Sequence, residues 1–233
     1  VIRRVWQVIP GAAINVPHIV GGRDAPEGKY PYQASLRTKG RHGCGASIIS
    51  ERYLLTAAHC LPYLKVHVGT NYLKEDGIVY DVESIVRHKG FNTFVTTNDI
   101  GLIRVTKNIE FNDKVQPIAL AETNSVVPGA IAILTGWGRL RLGGAVPDNL
   151  QEIDLNVVSN EVCKREHRKV IESQICTLTK IGEGACHGDS GGPLVVDGIQ
   201  VGIVSYGKPC ALGSPDVFTR VFSFQNWIKE NTH

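Results

Sequence analysis

The sequence predicts an all-β protein, and three observations support this prediction. The chain has 233 residues, which is enough for one large β-domain or for two small barrels packed together around a real core. Its 25 glycines exceed the usual share of about 7% and are scattered through β-rich sequence, which favours tight turns over long helices. Short β-like runs recur between turn signals at the spacing that is typical of barrels and sandwiches.

Each predicted strand is a short run of mainly apolar and β-branched residues that is bounded by turn-forming residues. In chain order these runs are QASL, ASIIS, YLLTAA, LKVHVG, GIVYDVESIV, DIGLIRV, AIAILTGWG, LQEIDLNVV, PLVVDGIQVGIVSYG and DVFTRV. The polar stretch 121–129, which contains Pro and Gly, is the predicted linker between two β-halves.

Helices are predicted at two places. The stretch SNEVCKREHRK, residues 159–169, has Ser159 or Asn160 as its N-cap. The stretch FSFQNWIKENTH forms a second helix at the C-terminus, over residues 222–233. Both are short, so we expect the helical content to be small.

The composition is that of an ordinary soluble globular protein. Hydrophobic residues make up 42% of the chain and charged residues 20%, so neither a disordered nor a fibrous chain is indicated. The formal net charge of +3 implies no polyanion-binding surface, and we therefore expect no nucleic-acid partner. No run of about 18 apolar residues occurs, so no membrane-spanning helix is expected.

Residues 1–18 are expected to be a processed segment. The sequence contains no methionine, which we interpret as a start after a processing event or within a fragment. The opening VIRRVWQVIPGAA has the basic pair Arg3 and Arg4, a short apolar stretch and a small-residue ending, and these features weakly resemble the end of a secretory signal. Gln7 and Pro10 interrupt the apolar stretch, so an ordinary propeptide is an equal alternative.

The cysteines indicate disulfides rather than a metal site. The tight C-x₂₋₄-C pairs that are typical of zinc sites do not occur. Sequence alone leaves the pairing open, although sequential pairing would close three modest loops, each worth roughly 3 kcal/mol in the chain-entropy model. Because disulfides form in oxidising compartments, we expect a secreted, extracellular protein. The cysteines are Cys44, Cys60, Cys163, Cys176, Cys186 and Cys210.

Residues with chemical potential concentrate in three motifs. TAAHC places His59 beside a cysteine at the end of an apolar run, where a lone histidine is more often structural. TTNDIGLIRV places Asp99 just before an apolar strand, where a strand-edge cap or a turn is the alternative to a functional carboxylate. GEGACHGDSGGPLVV surrounds Ser190 with glycines, and the alternative there is a glycine-rich hairpin.

One explanation accounts for all three motifs. A serine hydroxyl becomes a good nucleophile when an imidazole accepts its proton, and a carboxylate fixes the tautomer of that imidazole and stabilises its charged form. Ser190, His59 and Asp99 supply these three roles. The backbone N–H groups of Gly188 and Ser190 are candidate donors to the oxyanion of a tetrahedral intermediate.

The order His…Asp…Ser in TAAHC, NDIGL and GDSGGP resembles the chymotrypsin-like serine proteases. GKYPYQASLR, CTLTKIGEGACHGDSGGP and GIVSYGKPCALGSPDVFTRV are most similar to insect chymotrypsins, and the resemblance covers residues 19–233 as one peptidase domain. It implies two six-stranded antiparallel β-barrels, approximately 19–122 and 123–220, with the active site in the cleft between them and a C-terminal α-helix. The family disulfides that it implies are Cys44–Cys60, Cys163–Cys176 and Cys186–Cys210.

The resemblance also explains the sequence IVGG at residues 19–22. In activated relatives the new N-terminal amine pairs with the aspartate before the nucleophile, so Ile19 and Asp189 are the implied partners. Such a buried ammonium–carboxylate pair would order the oxyanion turn, and residues 1–18 would be an inhibitory or masking prosegment. The chain departs from the family pattern because His18, rather than Arg or Lys, precedes Ile19, which leaves another activator or a different processing route.

Substrate preference in this family depends on the residue six positions before the nucleophile, which here is Gly184. Ser205, Tyr206 and Gly207 are implied to form the pocket wall and the strand that pairs with substrate. An uncharged floor favours a large apolar side chain before the scissile bond, and its burial contributes roughly 1.5–3 kcal/mol. Asp216 matches the opposite side of the same pocket, and our preferred interpretation is that it turns towards a hydrogen-bonded or hydrated niche or has only a partial effect.

The sequence therefore predicts a secreted serine endopeptidase that acts through an acyl-enzyme and prefers Phe, Tyr, Leu or Trp, with secondary acceptance of Arg or Lys. The alternatives are a catalytically silent homologue that acts as a binding adaptor, and a trypsin-like enzyme whose specificity Asp216 dominates. No cofactor or metal is expected, since VGTNYLKEDG offers Glu75 and Asp76 but lacks the oxygen donors of a calcium site. Expected partners are protein or peptide substrates and protein protease inhibitors, without nucleic acid or membrane, and we expect a monomer.

Overall fold

The computed structural model describes residues 19–62, 65–208 and 210–233, so the predicted prosegment or signal remnant at 1–18 lies outside the described residues. β-Strands are the main regular secondary structure of the described residues, which also contain two short α-helices, α1 (Asn160–Cys163) and α2 (Gln225–Glu230). The strands are β1 (Arg23–Asp24), β2 (Gln33–Thr38), β3 (Arg41–Ile48), β4 (Tyr53–Thr56), β5 (Lys65–Val68), β6 (Ile78–Arg87), β7 (Gly101–Val105), β8 (Ala119–Leu120), β9 (Ile131–Gly136), β10 (Gln151–Val158), β11 (Gln174–Thr177), β12 (Pro193–Val196), β13 (Ile199–Gly207) and β14 (Asp216–Arg220).

Six strands close the first antiparallel barrel in the order β2–β3–β4–β7–β6–β5. The ring closes where β5 pairs with β2, with Val66 opposite Leu36. These two side chains lie with Leu54 and Leu102 in one fully buried cluster. Because each buried aliphatic side chain contributes about 1.5–3 kcal/mol, this cluster is a main source of the barrel's stability.

The second barrel has the order β9–β10–β11–β14–β13–β12, and β12 pairs again with β9 to close it. β1 extends this sheet antiparallel to β10, and β8 pairs in parallel with β13. The barrel core contains the buried side chains of Leu134, Leu155, Ile175 and Phe218. The prediction of an all-β protein with two six-stranded antiparallel barrels and a short C-terminal helix is therefore confirmed.

Each end of the described chain packs against the barrel that is more distant in sequence. Phe224 and Ile228, at and beyond the start of α2, lie in the core cluster of the first barrel. Ile19 lies in the core cluster of the second barrel, and β1 pairs with β10. Both terminal segments therefore connect the two barrels. The predicted boundary between the barrels, between residues 122 and 123, remains a proposal.

The structure differs from the sequence predictions in several elements: β1, β8 and β11 are not predicted, and the helix predicted over 222–233 is α-helical only over Gln225–Glu230. The predicted helix over 159–169 ends at Cys163, although Ser159 caps it by accepting a hydrogen bond from the N–H of Val162. A disulfide from Cys163 holds this end against β11. β11 is not predicted by the sequence, because no turn signals bound its four residues. It forms a strand by pairing with β10 and β14. No helix in the described part of the chain is long and apolar enough to cross a bilayer.

Candidate active site

His59 lies just beyond β4, in a 3₁₀ turn that spans Ala58–Cys60. The disulfide between Cys60 and Cys44 ties this turn to β3 and fixes the backbone beside the imidazole. About a third of the His59 side chain is exposed (32%). The ring is therefore accessible to a substrate while its backbone is held.

Asp99 is almost completely buried, just before β7. Its Oδ2 lies 2.7 Å from His59 Nδ1 and accepts a hydrogen bond from the Ser205 hydroxyl at 2.6 Å. Its Oδ1 accepts the backbone N–H of His59 at 3.0 Å. A carboxylate in this position favours the imidazole tautomer with its proton on Nδ1, which leaves Nε2 free to accept a proton.

Ser190 lies in a glycine-rich turn that packs against the turn of His59. The carbonyl of Ser190 accepts a hydrogen bond from the N–H of Gly45 at 2.8 Å. A Cβ at the next residue, Gly191, would lie 3.0 Å from Cys60 Sγ and would collide with the backbone carbonyl of Gly45 unless something shifted. Glycine at 191 therefore permits the turn to approach the His59 segment, although no hydrogen bond joins the Ser190 hydroxyl to His59 within the described residues.

The turn before Ser190 offers two unpaired backbone donors. Gly188 has a φ of 106°, which favours glycine, and a Cβ there would lie 3.1 Å from Cα of Gly138. Among the described residues, neither the N–H of Gly188 nor that of Ser190 donates a hydrogen bond. Unpaired N–H groups beside a nucleophile are what an oxyanion site requires.

Sequence reasoning does not find His42, which holds this turn from the first barrel. His42 Nε2 lies 2.9 Å from the carbonyl of Gly188, and Nδ1 accepts a hydrogen bond from the Ser35 hydroxyl at 2.8 Å. The oxygen of this hydroxyl in turn accepts from Arg37 Nε at 3.2 Å. Burial lowers the pKa of His42 to about 4, so the ring is neutral and donates from Nε2. Gly188 is 146 residues away in sequence, so local motifs carry no signal for this contact.

Asp189 is fully buried behind the turn. One carboxylate oxygen accepts the N–H of Gly138 at 2.8 Å and the other accepts the N–H of Cys186 at 2.9 Å. A Cβ at Gly136 or Gly138 would collide with this carboxylate. Burial raises the pKa of Asp189 to about 6, and the two backbone N–H groups oppose the rise. The site therefore holds a buried carboxylate that no cation of the described residues neutralises.

The segment around Ile19 lies against the same part of the second barrel. Ile19 is fully buried in its core, and the carbonyl of Val20 accepts the N–H of Gly184 at 3.1 Å. Ile19 has a φ of 28°, in a region that β-branched residues rarely adopt. His18, before it, lies outside the described residues.

A cavity of about 230 Å³ opens beside Ser190. Its walls are formed by Ala185, Cys186, His187, Ser190, Val204, Ser205, Tyr206, Gly207 and Asp216. The Cys186–Cys210 disulfide supports one wall. The predicted wall residues Ser205, Tyr206 and Gly207 thus lie together at one cavity.

Gly184 lies beside Asp216, which lines this cavity, although Gly184 itself is not among the lining residues. A Cβ at 184 would lie 2.6 Å from Asp216 Oδ2, so the carboxylate of Asp216 fills the space that a side chain at 184 would need. Asp216 Oδ2 accepts the N–H of Ala185 at 2.7 Å. The carboxylate is therefore hydrogen-bonded, and Asp216 is one of the residues that line the cavity.

Asp216 is buried and carries a strongly perturbed pKa. Burial raises this pKa to about 7, the N–H of Ala185 opposes the rise, and repulsion from Asp189 adds to it. Asp216 is therefore able to exist in either charge state near neutral pH.

The structure contains the three disulfides that the resemblance implies, Cys44–Cys60, Cys163–Cys176 and Cys186–Cys210. Cys44, His59 and Cys60 place potential metal-binding atoms within 4.8 Å of one another. Because the two sulfurs are bonded to each other, they are not available as thiolate ligands.

Comparisons with known proteins agree with this geometry. The family model described as Trypsin matches residues 19–228. The chain is 54% identical over 218 residues to Chymotrypsin-2 of Vespa crabro, with 91% of this chain and 99% of the relative covered. It is 36% identical over 223 residues to Trypsin delta of Drosophila melanogaster, with coverages of 91% and 88%. Among solved structures it resembles neuropsin, a serine protease expressed in the limbic system of mouse brain, with a TM-score of 0.87, 31% identity and coverages of 91% and 99%. The chain belongs to the trypsin family of serine proteases.

Proposed function

We propose that the chain is a secreted serine endopeptidase in which Ser190 is the nucleophile, His59 the general base and Asp99 the group that orients the imidazole. The observation that carries this proposal is that the Asp99 carboxylate accepts hydrogen bonds from both His59 and Ser205, beside the turn that contains Ser190. A base with a fixed tautomer and an accessible serine are the two requirements of this chemistry.

The reaction begins when Ser190 Oγ attacks the carbonyl carbon of the scissile peptide and its proton passes to His59 Nε2. The N–H groups of Gly188 and Ser190 donate to the oxyanion. The imidazolium then gives the proton to the leaving amine, so the C–N bond breaks and an acyl-enzyme ester remains. Water, deprotonated by His59, hydrolyses this ester and restores the Ser190 hydroxyl.

We further propose a preference for large apolar residues before the scissile bond, with secondary acceptance of Arg or Lys. Val204 and Ala185 give the cavity apolar surface, and a buried aromatic side chain would gain roughly 1.5–3 kcal/mol there. Asp216 supplies one carboxylate that a basic side chain would reach in the same cavity. A trypsin-like enzyme is the second candidate, and the buried Asp216 is the observation that favours it.

Activation is proposed to require cleavage before Ile19, whose free amine then neutralises Asp189. The unusual φ of Ile19 costs on the order of 1–3 kcal/mol while its nitrogen is part of a peptide bond, and cleavage removes this cost. Asp189 supports the pairing because it is buried with only two backbone donors as partners.

Secretion is proposed because the chain contains three disulfides, which persist in oxidising compartments. As a member of a protease family the chain acts on protein substrates. Protein protease inhibitors that enter the cleft, and a monomeric state, belong to the proposal.

A fluorophosphonate probe tests the proposed function most directly. After cleavage before Ile19, we expect one covalent label per chain, on Ser190, because the probe traps an activated serine. The Ser190→Ala variant is the matched control and is expected to take no label. A folded, cleaved chain that takes no label would favour the alternative of a silent binding adaptor.

A further inference from the structure

The backbone that leads into Asp99 is strained. Thr96 and Asn98 have φ values of 48° and 53°, in the left-handed region that residues with a Cβ rarely adopt. Threonine is also β-branched, which makes this conformation more costly. Such conformations persist only where the surrounding structure holds them. Segment 96–99 therefore needs contacts that keep Asp99 in place.

Two buried side chains of the second barrel supply these contacts. Gln174 on β11 donates from Nε2 to the carbonyl of Thr96 at 2.9 Å. Thr219 on β14 donates from Oγ1 to the carbonyl of Asp99 at 2.7 Å. Gln174 and Thr219 are direct cross-strand partners, and each is only 2% exposed. One polar pair thus contacts both ends of the strained segment.

The first barrel offers this segment weaker support. Asn92 and Thr97 exchange two backbone hydrogen bonds, and Asn98 Nδ2 donates to the carbonyl of Gly90 at 2.8 Å. The bond from Asn98 is exposed. Because water competes for exposed hydrogen bonds, the buried bond from Thr219 and the part-buried bond from Gln174 constrain the segment more strongly than the bond from Asn98.

Gln174 also connects the strained segment to the substrate pocket. Its Oε1 accepts the N–H of Ile171 at 3.1 Å, which fixes the orientation of the amide. Burial raises the pKa of the Tyr206 hydroxyl, and the nearby Gln174 side chain opposes this rise. Tyr206 lines the cavity beside Ser190. The same amide therefore bonds the segment of Asp99 and lies near a residue of the pocket wall.

We propose that Gln174 and Thr219 are positioning residues for catalysis, which hold segment 96–99 across the cleft so that Asp99 keeps its place against His59. This inference rests on the proposed roles of the triad. It concerns two residues that touch neither substrate nor the reacting atoms.

The Thr219→Val variant tests the contact with Asp99, because it removes the donor at nearly constant volume. We expect kcat to fall by roughly tenfold with KM changed less than about twofold, since Asp99 acts on the transition state and not on substrate binding. We also expect the acid limb of the kcat/KM profile to move to lower pH, because a displaced carboxylate stabilises the imidazolium less. The Thr219→Ser variant retains the hydroxyl and is expected to restore both properties.

The Gln174→Met variant tests the other half of the pair. We expect it to lower kcat and also to raise KM, because it releases Tyr206 as well as Thr96. The matched control is Thr177→Val on the same strand, since Thr177 is buried and its hydroxyl has no hydrogen-bond partner among the described residues. Its kcat, KM and pH profile are expected to equal those of the unaltered chain.

Unchanged kinetics in Thr219→Val would overturn the inference. A loss of kcat without a shift of the acid limb, and without restoration by Thr219→Ser, would also overturn it, because it would indicate a packing role only. If Thr219→Val does not fold, Gln174→Met provides the test instead, and unchanged kcat and KM in that variant would overturn the inference. An inactive unaltered chain would contradict the proposed triad instead, so the two failures are distinguishable.

Discussion

Three buried carboxylates in and around the site accept different numbers of hydrogen bonds, and these differences suit them to different tasks. Asp99 is bonded by the backbone and ring of His59 and by Ser205. Asp189 accepts two backbone N–H groups, and Asp216 accepts one. Burial raises the pKa of Asp189 to about 6 and that of Asp216 to about 7, so both of these carboxyl groups titrate close to neutral pH.

Asp216 gives a prediction about specificity and pH. Its pKa is raised from 3.8 to about 7, so the carboxyl group is neutral below this pH and charged above it. We expect the ratio of kcat/KM for a Lys substrate to that for a matched Phe substrate to rise by roughly tenfold as pH increases from about 5.5 to 8.5. The ratio is informative because both substrates use the same triad, whose own pH dependence cancels.

The control for this ratio is Asp216→Asn, which keeps the shape and removes the titration. Its ratio is expected to stay low and independent of pH. The other titratable groups at the cavity are His187 and Tyr206, and an amine paired with Asp189 would remove the repulsion that Asp189 adds. A flat ratio in the unaltered chain, or a slope that survives in Asp216→Asn, would show that Asp216 does not select substrates.

The proposed triad residues can be identified from the sequence because each stands in a short, distinctive motif. His42, Gln174 and Thr219 carry no such signal. Each of the three acts through a backbone carbonyl that is distant in sequence, such as that of Gly188, 146 residues from His42. These side chains and the carbonyls that they contact come together only when one barrel packs against the other. Sequence motifs therefore indicate the proposed triad but not the residues that hold it in place.

Among the structural elements, the segment from Ile19 to β1 packs on the second barrel and contains the proposed activation site. We predict that a chain beginning at Ile19 is active and that a chain retaining residues 1–18 is nearly inactive, because only a free amine can neutralise the buried Asp189. Activity of both chains on one peptide substrate is the measurement, with mass spectrometry to verify that the longer chain is uncut. Full activity of a verified uncut chain would contradict this account.

A charged cluster around Glu152 attaches β1 to β10. It leads to a prediction about how the stability of the fold changes at low pH. The buried Glu152 accepts hydrogen bonds from Arg23, Lys29 and Tyr30. Burial raises the pKa of Glu152, but the hydrogen bonds from Lys29 and Tyr30 and the charges of Lys29 and Arg23 outweigh it, so the net pKa is lowered. The lowered pKa means that the cluster stabilises the fold above the unfolded value of 4.5 and that this contribution is lost as pH falls below it.

We expect Glu152→Gln to lower the Tm at pH 7 by several degrees, since hydrogen bonds to charged groups contribute about 1.5–3 kcal/mol each. The difference from the unaltered chain is expected to shrink as pH falls below about 4. Thermal unfolding at several pH values measures both effects. Equal Tm values at pH 7, or a difference that grows in acid, would rule out this role for Glu152.

The sequence predicts elements less evenly than residues. Long alternating runs such as the one that forms β10 are easy to recognise, and their register then closes the barrel. β11, which carries both Cys176 and Gln174, escapes prediction because its pairing with β10 and β14 defines it and no turn signals of its own bound it. The helix over 159–169 is predicted too long, because local propensity does not include the disulfide at Cys163.

For the molecule as a whole, the proposed active site lies where the two barrels meet. The first barrel supplies His59, in the turn after β4, and Asp99, just before β7, whereas the second supplies Ser190 and Ser205. The terminal segments cross between the barrels, and the pair Gln174 and Thr219 bonds the segment of Asp99 from the far side. The architecture therefore holds residues that are distant in sequence as one chemical unit.

The central claim is that Ser190 and His59 act together as one catalytic unit. The kinetics of Ser190→Ala, His59→Ala and the double variant test it most directly. Because the two residues act in one step, each single change is expected to lower kcat by about 10⁶-fold, and the double variant is expected to be little worse than either. Circular dichroism of the folded variants is the control for structure. Nearly additive losses in the double variant, or substantial activity in Ser190→Ala, would contradict the account.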